Sequence, residues 1–362
     1  MDLSTLVKMS NTYGSNPAYV LAGGGNTSVK NDTTLYVKGS GTQLATIKAE
    51  GFVKMDRARL NEIMKTEYPK NDVEREAAYL ADVMAAVTDD DKTKRPSVEA
   101  LLHNLFAYTY VLHVHPTLVN GLTCGKGAQA LCEELLGEAV LWIDICKPGY
   151  TLARLCFEKM NAYKEKYGKD VQVLLLQNHG IFVAANTVEE IGVLFDSVIS
   201  KLEKQVKRTA DVSDAVTPEK EQAAQKLSQL LRHAVEVVPV AEADNFAKDK
   251  TAAAPLLKPF TPDHIVYCGP YPLFVENIDQ AKEALDAFMT ENDKEPRLIL
   301  VQGIGAFIME DDKEKAAKAQ LLAKDAIKLA VYAESFGGPL QMTDEITYFI
   351  THWEAEAYRS KK

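Results

Sequence analysis

The stretch Thr109-Tyr110-Val111-Leu112-His113-Val114-His115-Pro116 limits most strongly what this chain can become. Its apolar residues predict a strand, closed by a proline that cannot donate to a ladder. Side chains alternate faces along a strand, so His113 and His115 project from one face, with Cα atoms roughly 6–7 Å apart. Two imidazoles so placed can converge on one ion at metal–nitrogen distances of about 2.0–2.1 Å. A metal-free strand end can also carry two half-buried histidines, and a third histidine bears on that choice. Val171 to Gly180 reads as an apolar strand ending in Asn178-His179-Gly180, and a second strand, Ile181–Ala185, follows at once. A hairpin corner is an unusual place for a core histidine. Three imidazoles with no obvious fourth ligand match an open, catalytic zinc site better than a closed structural one. The five cysteines (Cys124, Cys132, Cys146, Cys156, Cys268) have no C-x-x-C spacing, so they form no zinc ribbon.

A chain of 362 residues is long for one domain and comfortable for two. With 46% hydrophobic and 25% charged residues it has a globular composition. No apolar run of about 18 residues is present, so no membrane span is expected. The N-terminus lacks the basic and apolar regions of a signal peptide. Scattered, odd-numbered cysteines indicate a reducing compartment, so a cytoplasmic location is expected. The net charge of −10 comes without a basic cluster, which argues against nucleic acid as a partner. A small anionic substrate must then be held by local donors against the global field.

Those donors have candidate places. Gly23-Gly24-Gly25-Asn26-Thr27-Ser28-Val29-Lys30 reads as a loop of free N–H groups and short polar side chains, able to form an anion-binding nest or merely a flexible turn. It is neither a dinucleotide fingerprint nor a P-loop. The strand Thr34–Lys38 ends in a second small-residue loop, Gly39-Ser40-Gly41-Thr42. Asp56 is expected to cap a helix over 57–68. A further helix is expected over 72–87, with Val73, Ala77, Leu80, Val83, Met84 and Val87 on one stripe. Ser97 then opens a helix that feeds into the histidine strand. Glu99 falls in its first turn, where the macrodipole favours any carboxylate, but it also lies one short helix away from the histidines. His103 shares its face at i, i+4 and is read as a packing or supporting residue.

Helices are expected over 128–136, 151–167 and 188–208, and a strand over 139–145. The whole suggests a layered α/β domain with a mainly antiparallel sheet. The charged, apolar-poor stretch 210–221 is read as a linker, which gives domains at 1–210 and 222–362. The second repeats the first weakly. Setting Gln177 on Gln302 aligns Leu175–Val183 with the segment Val301–Ile308, and puts Ile304 where the first half has His179. Leu35–Gly39 likewise resembles Ile265–Gly269. A degenerate α/β copy without metal ligands is the expectation.

The motifs occur in the order found in the class II aldolase/adducin family, which the first 210 residues resemble. These are the Gly-Asn-Thr-Ser loop, the Gly-Ser-Gly loop, the Ser-x-Glu helix, the H-x-H strand, a Pro-Gly-x-x-x-Ala turn at Pro148 and the late His179. The wording Gly-Gly-Gly-Asn-Thr-Ser and Val-Lys-Gly-Ser-Gly-Thr is most similar to bacterial rhamnulose-1-phosphate aldolase domains fused to a short-chain dehydrogenase. No dinucleotide fingerprint is found here, so the dehydrogenase is not expected in this chain. The resemblance implies one Zn2+ on His113, His115 and His179, Glu99 as general acid/base, and phosphate on Gly25, Asn26, Ser40, Gly41 and Ser97. A raised Glu99 pKa in a dry pocket would suit that role. Val98 stands where the family often has a second serine. Tyr150 is a candidate second proton donor. The implied reaction is cleavage of a ketose 1-phosphate, first of all L-rhamnulose 1-phosphate, to dihydroxyacetone phosphate and L-lactaldehyde, by a homo-oligomer. Related epimerases, which usually carry Asp at the position of Glu99, dehydratases and the adducin-like assembly proteins are the alternatives.

Overall fold

In the computed structural model, residues 1–91 and 93–354 are described. The elements of the first half are α1 (Ser4–Gly14), β1 (Asn26–Lys30), β2 (Thr34–Lys38), β3 (Phe52–Asp56), α2 (Arg57–Ile63), α3 (Asp72–Ala85), α4 (Ala100–Leu105), β4 (Tyr110–Val114), α5 (Thr117–Thr123), α6 (Ala128–Leu136), β5 (Leu141–Ile143), α7 (Tyr150–Tyr167), β6 (Val173–Leu176), β7 (Gly180–Ala185) and α8 (Val188–Glu203). The second half adds α9 (Pro218–Leu231), β8 (Val235–Val237), α10 (Glu242–Phe246), α11 (Lys250–Ala253), α12 (Pro262–Cys268), β9 (Leu273–Val275), α13 (Ala281–Glu291), β10 (Leu298–Val301), β11 (Gly305–Met309), α14 (Lys313–Ala333) and α15 (Asp344–His352).

The chain divides into two compact units. Among the described residues, one holds Met1–Val119 and Gln129–Lys204, the other Asn120–Ala128 and the chain from Gln205 to Glu354. The first unit is built on a seven-stranded sheet in the order β3-β2-β1-β4-β7-β6-β5. Every pair is antiparallel except β5 with β6. Leu35, Val37, Met55, Val111, Leu174 and Phe182 of the sheet share one core with Leu101 of α4 and Ala153 of α7. The other face of β1 turns Thr27 to Ser10 of α1, with their hydroxyls 2.7 Å apart. Helix, sheet and helix therefore form three layers. Asp56 caps α2 as expected, accepting from the N–H groups of Ala58 and Arg59.

Two local expectations fail for physical reasons. The polar run Asn26–Lys30 is a buried central strand, since its side chains find polar partners on both faces. The buried face of α3 is Glu76, Tyr79 and Val83, while Val73 is 79% exposed. Glu76 is drawn inward by Arg75 and by the N–H of Tyr150, which breaks the purely apolar stripe.

The second sheet runs β8-β11-β10-β9. Its directions, antiparallel, antiparallel and then parallel, repeat those of β4-β7-β6-β5 in the first. The registers agree residue by residue. Leu176 pairs with Gly180 as Val301 pairs with Gly305, and His113 pairs with Phe182 as Val237 pairs with Phe307. Gln177 N–H bonds Ile143 O and Gln302 N–H bonds Val275 O, each at 2.9 Å. Asn178 and Gly303 both take positive φ, 57° and 71°. The repeat read from Gln177 and Gln302 is thus a repeat of half the sheet. The other short match is not part of it, because Ile265–Cys268 lies in helix α12 whereas Leu35–Lys38 is strand β2.

Candidate metal centre

Strand β4 carries His113 at full burial, and His115 follows just past its end, held by its N–H on Tyr19 O. The β6–β7 turn supplies His179, with His179 N–H closing on Leu176 O at 3.2 Å. Antiparallel pairing of β4 with β7 brings the three together. One ligand nitrogen from each lies within 4.8 Å of the others, and among the described residues this is the single such group of three. Gly180 makes the approach possible, since a Cβ there would fall 2.6 Å from Val114 O and 2.8 Å from His115 Cδ2. Gly25, at φ +66°, lets the β1 entry pass over the same strand, where a Cβ would meet His113 O at 2.8 Å.

The proton on His113 can be placed. Its Nδ1 lies 3.0 Å from Ile181 O, a pure acceptor, so Nδ1 donates. Burial holds the ring well below its ordinary pKa, so it is neutral and Nε2 bears a lone pair. That lone pair lies 3.0 Å from His115 Nε2 and 3.2 Å from Glu99 Oε2. His179 Nε2 lies 3.5 Å from Glu99 Oε1. Burial raises the Glu99 carboxyl, whereas positive charge brought to the neighbouring imidazole cluster and the Asn26 hydrogen bond lower it, and the lowering is the larger effect. The raised pKa expected for Glu99 is therefore replaced by its opposite, an ionised carboxylate facing a lone pair. Such an arrangement calls for positive charge between the groups. Three imidazoles, one of them (His113) donating its other nitrogen to a backbone carbonyl, are a donor set that fits a divalent cation.

Glu99 precedes α4 and is 8% exposed. Its N–H reaches Ser97 Oγ at 3.3 Å, so Ser97 turns the chain into the helix, although the helix itself starts only at Ala100. Asn26 donates to Glu99 Oε2 at 2.7 Å. Glu99 Oε1 is buried without a hydrogen-bond partner. Ser97 N–H bonds Lys38 O and Ser40 N–H bonds Arg95 O, so the Gly39-Ser40-Gly41 loop lies beside the start of α4, with Gly41 at φ 82°. Lys38, outside the expected set, is buried with Nζ 3.4 Å from Gly23 O. Its ammonium lies next to the glycine loop. The Tyr150 hydroxyl donates to Thr66 O and its ring packs on Tyr68 and Tyr79.

By the register of the repeat, the three histidine positions in the second sheet hold Val237, Pro239 and Ile304. A Cβ on Gly305, the counterpart of Gly180, would lie 3.2 Å from Lys220 Cε. The Lys220–Asp244 ion pair, 2.6 Å long, stands by this glycine as the imidazoles stand by Gly180.

Residues 5–199 match the class II aldolase and adducin N-terminal domain, more than half the chain, and the protein belongs to that family. A relative from Bacillus subtilis, the uncharacterized oxidoreductase YuxG, is 23% identical over 406 residues. The match takes in 98% of this chain but 57% of that protein, so the chain spans little more than half its length. Among solved structures, the N-terminal class II aldolase domain of a conserved protein from Thermoplasma acidophilum is 27% identical with a TM-score of 0.49, covering 57% of this chain and 94% of that one. L-fuculose-1-phosphate aldolase from Thermus thermophilus is 15% identical with a TM-score of 0.34, covering 56% and 91%. No helix among the described residues is long and apolar enough to cross a membrane.

Proposed function

We propose that this protein is a metal-dependent aldehyde-lyase that cleaves a ketose 1-phosphate, with L-rhamnulose 1-phosphate the first candidate. The observation that carries this reading is the His113 lone pair facing the Glu99 carboxylate beside two further imidazoles. Zinc is the ion that three imidazoles and an open position suit best. Bound there, it would act as a Lewis acid that favours the charge developing on the ketose oxygens. Everything else falls to the chain itself. As a carboxylate, Glu99 is ready to accept a proton, and it returns one to C3 once the C3–C4 bond has opened. Its Oε1, which accepts no hydrogen bond, is the oxygen left to do so. The phosphate would rest on the N–H groups and hydroxyls of Gly25, Ser40, Gly41 and Ser97, with the Lys38 ammonium as the nearby positive charge. Asn26 has its amide engaged on both sides, so its part in holding phosphate is limited to its backbone or its second N–H. The five free thiols agree with a reducing compartment such as the cytoplasm. A homo-oligomer is part of the same proposal.

The test is product formation. Purified protein given L-rhamnulose 1-phosphate or L-fuculose 1-phosphate should release dihydroxyacetone phosphate, read by coupled NADH oxidation. A chelator should abolish the release and added zinc should restore it. Full turnover by metal-stripped protein contradicts the reading. An isomerised sugar phosphate with no aldehyde identifies an epimerase instead.

A further inference from the structure

Strand β1 presents Asn26, Ser28 and Lys30 on one face, since they are two residues apart. All three are buried, at 6%, 0% and 4% exposure. The face is covered by α4, which offers Glu99 and His103 one turn apart. A strand repeats a face about every 6.5 Å and a helix about every 6 Å, so the two rows stay in step. Asn26 Nδ2 donates to Glu99 Oε2. Asn26 Oδ1 is in short contact with His103 Nε2, and His103 Nδ1 lies 2.7 Å from Ser28 Oγ. Lys30 Nζ donates to His103 O at 2.8 Å, near the C-terminal end of α4.

These contacts have one direction. A carboxylate only accepts, so Asn26 must present its NH2 to Glu99 and its oxygen to His103. That oxygen only accepts, so His103 must carry its proton on Nε2. Burial pushes His103 down to about 3, so the ring is neutral and Nδ1 accepts from the Ser28 hydroxyl. The series runs from Ser28 through His103 and Asn26 and ends on one oxygen of Glu99. The other oxygen, Oε1, is buried without a hydrogen bond, 3.5 Å from His179 Nε2.

We infer that His103 is a positioning residue for proton transfer: through the Asn26 amide it pins Glu99 Oε2 and so leaves Oε1 as the reacting oxygen. This rests on the reading of Glu99 as the proton-transfer group. His103→Leu removes the donor to Asn26, whereas His103→Gln can place an amide N–H where Nε2 stood.

With L-rhamnulose 1-phosphate as the probe, His103→Leu should lower kcat by about 10–100-fold, the usual loss when a supporting partner is removed. KM and bound metal should be unchanged, and His103→Gln should recover most of kcat. In a Glu99→Gln background, His103→Leu should add little, because residues acting as a unit are not additive. Equal losses in the Leu and Gln variants, or a full multiplicative loss in the double variant, would overturn the inference. If Glu99→Gln alone keeps its kcat, the Glu99 reading fails and takes this one with it. A readout free of turnover is the ring-nitrogen NMR spectrum, assigned with His103→Gln. It should show His103 protonated at Nε2 only, and a proton on Nδ1 would refute the arrangement.

Discussion

Glu99→Gln is expected to lower kcat for ketose 1-phosphate cleavage by about 10²–10⁴-fold, the range typical when a general acid–base group is removed. The two side chains share shape and volume, so the buried site should not collapse. The glutamine oxygen can still accept from Asn26 Nδ2, which holds Glu99 at 2.7 Å. Three imidazole nitrogens remain to bind metal. The loss should therefore fall on kcat, with the unfolding midpoint and metal content near those of the unchanged protein. Steady-state kinetics with metal analysis and chemical denaturation on one preparation separates these. An unchanged kcat would move the proton-transfer role to another group.

Ending the chain after Thr209 is expected to abolish soluble, active protein, although every proposed ligand is kept. Residues Asn120–Ala128, from the first half of the sequence, pack within the second compact unit. Leu122, Thr123 and Cys124 are fully buried there. Leu340 N–H bonds Cys124 O at 2.7 Å, and Lys126 N–H bonds Gly338 O at 2.9 Å. A Cβ on Gly121 would fall 2.5 Å from Tyr332 Cβ. Truncation strips this segment of its partners, and exposing Leu122 alone costs about 1.5–3 kcal/mol. It begins five residues after His115 in the chain, so its loss should be felt there. Expression of residues 1–209, assayed for solubility and turnover, checks this. A stable, fully active truncated protein would show that the second unit serves something separate.

The histidine cluster was legible because its signals are local. Two histidines on a strand and one at a hairpin corner are each marked by their neighbours, and antiparallel pairing does the rest. The cap at Asp56 and the Gln177–Gln302 repeat were legible for the same reason. Asn26–Lys30 was not, because a central strand made of Asn, Thr, Ser, Val and Lys lacks the apolar pattern that strands show. It is stable only because α4 and α1 supply polar partners from far along the chain. The link between Glu99, Asn26 and His103 was hidden likewise, joining residues more than 70 apart. Residues 120–128 read as part of a first domain by chain order alone, and only packing assigns them elsewhere.

Bound metal per chain tests the His113–His115–His179 centre directly. Protein purified without chelator, and the His113→Ala and His179→Ala variants, would be analysed by mass spectrometry for bound metal per chain. About one zinc per chain is expected in the unchanged protein, as in single-ion sites of this donor set, and none retained by either variant. Glu99→Gln should keep its metal. Metal-free wild-type protein that takes up no zinc on titration, or variants that bind as much as wild type, would contradict this centre.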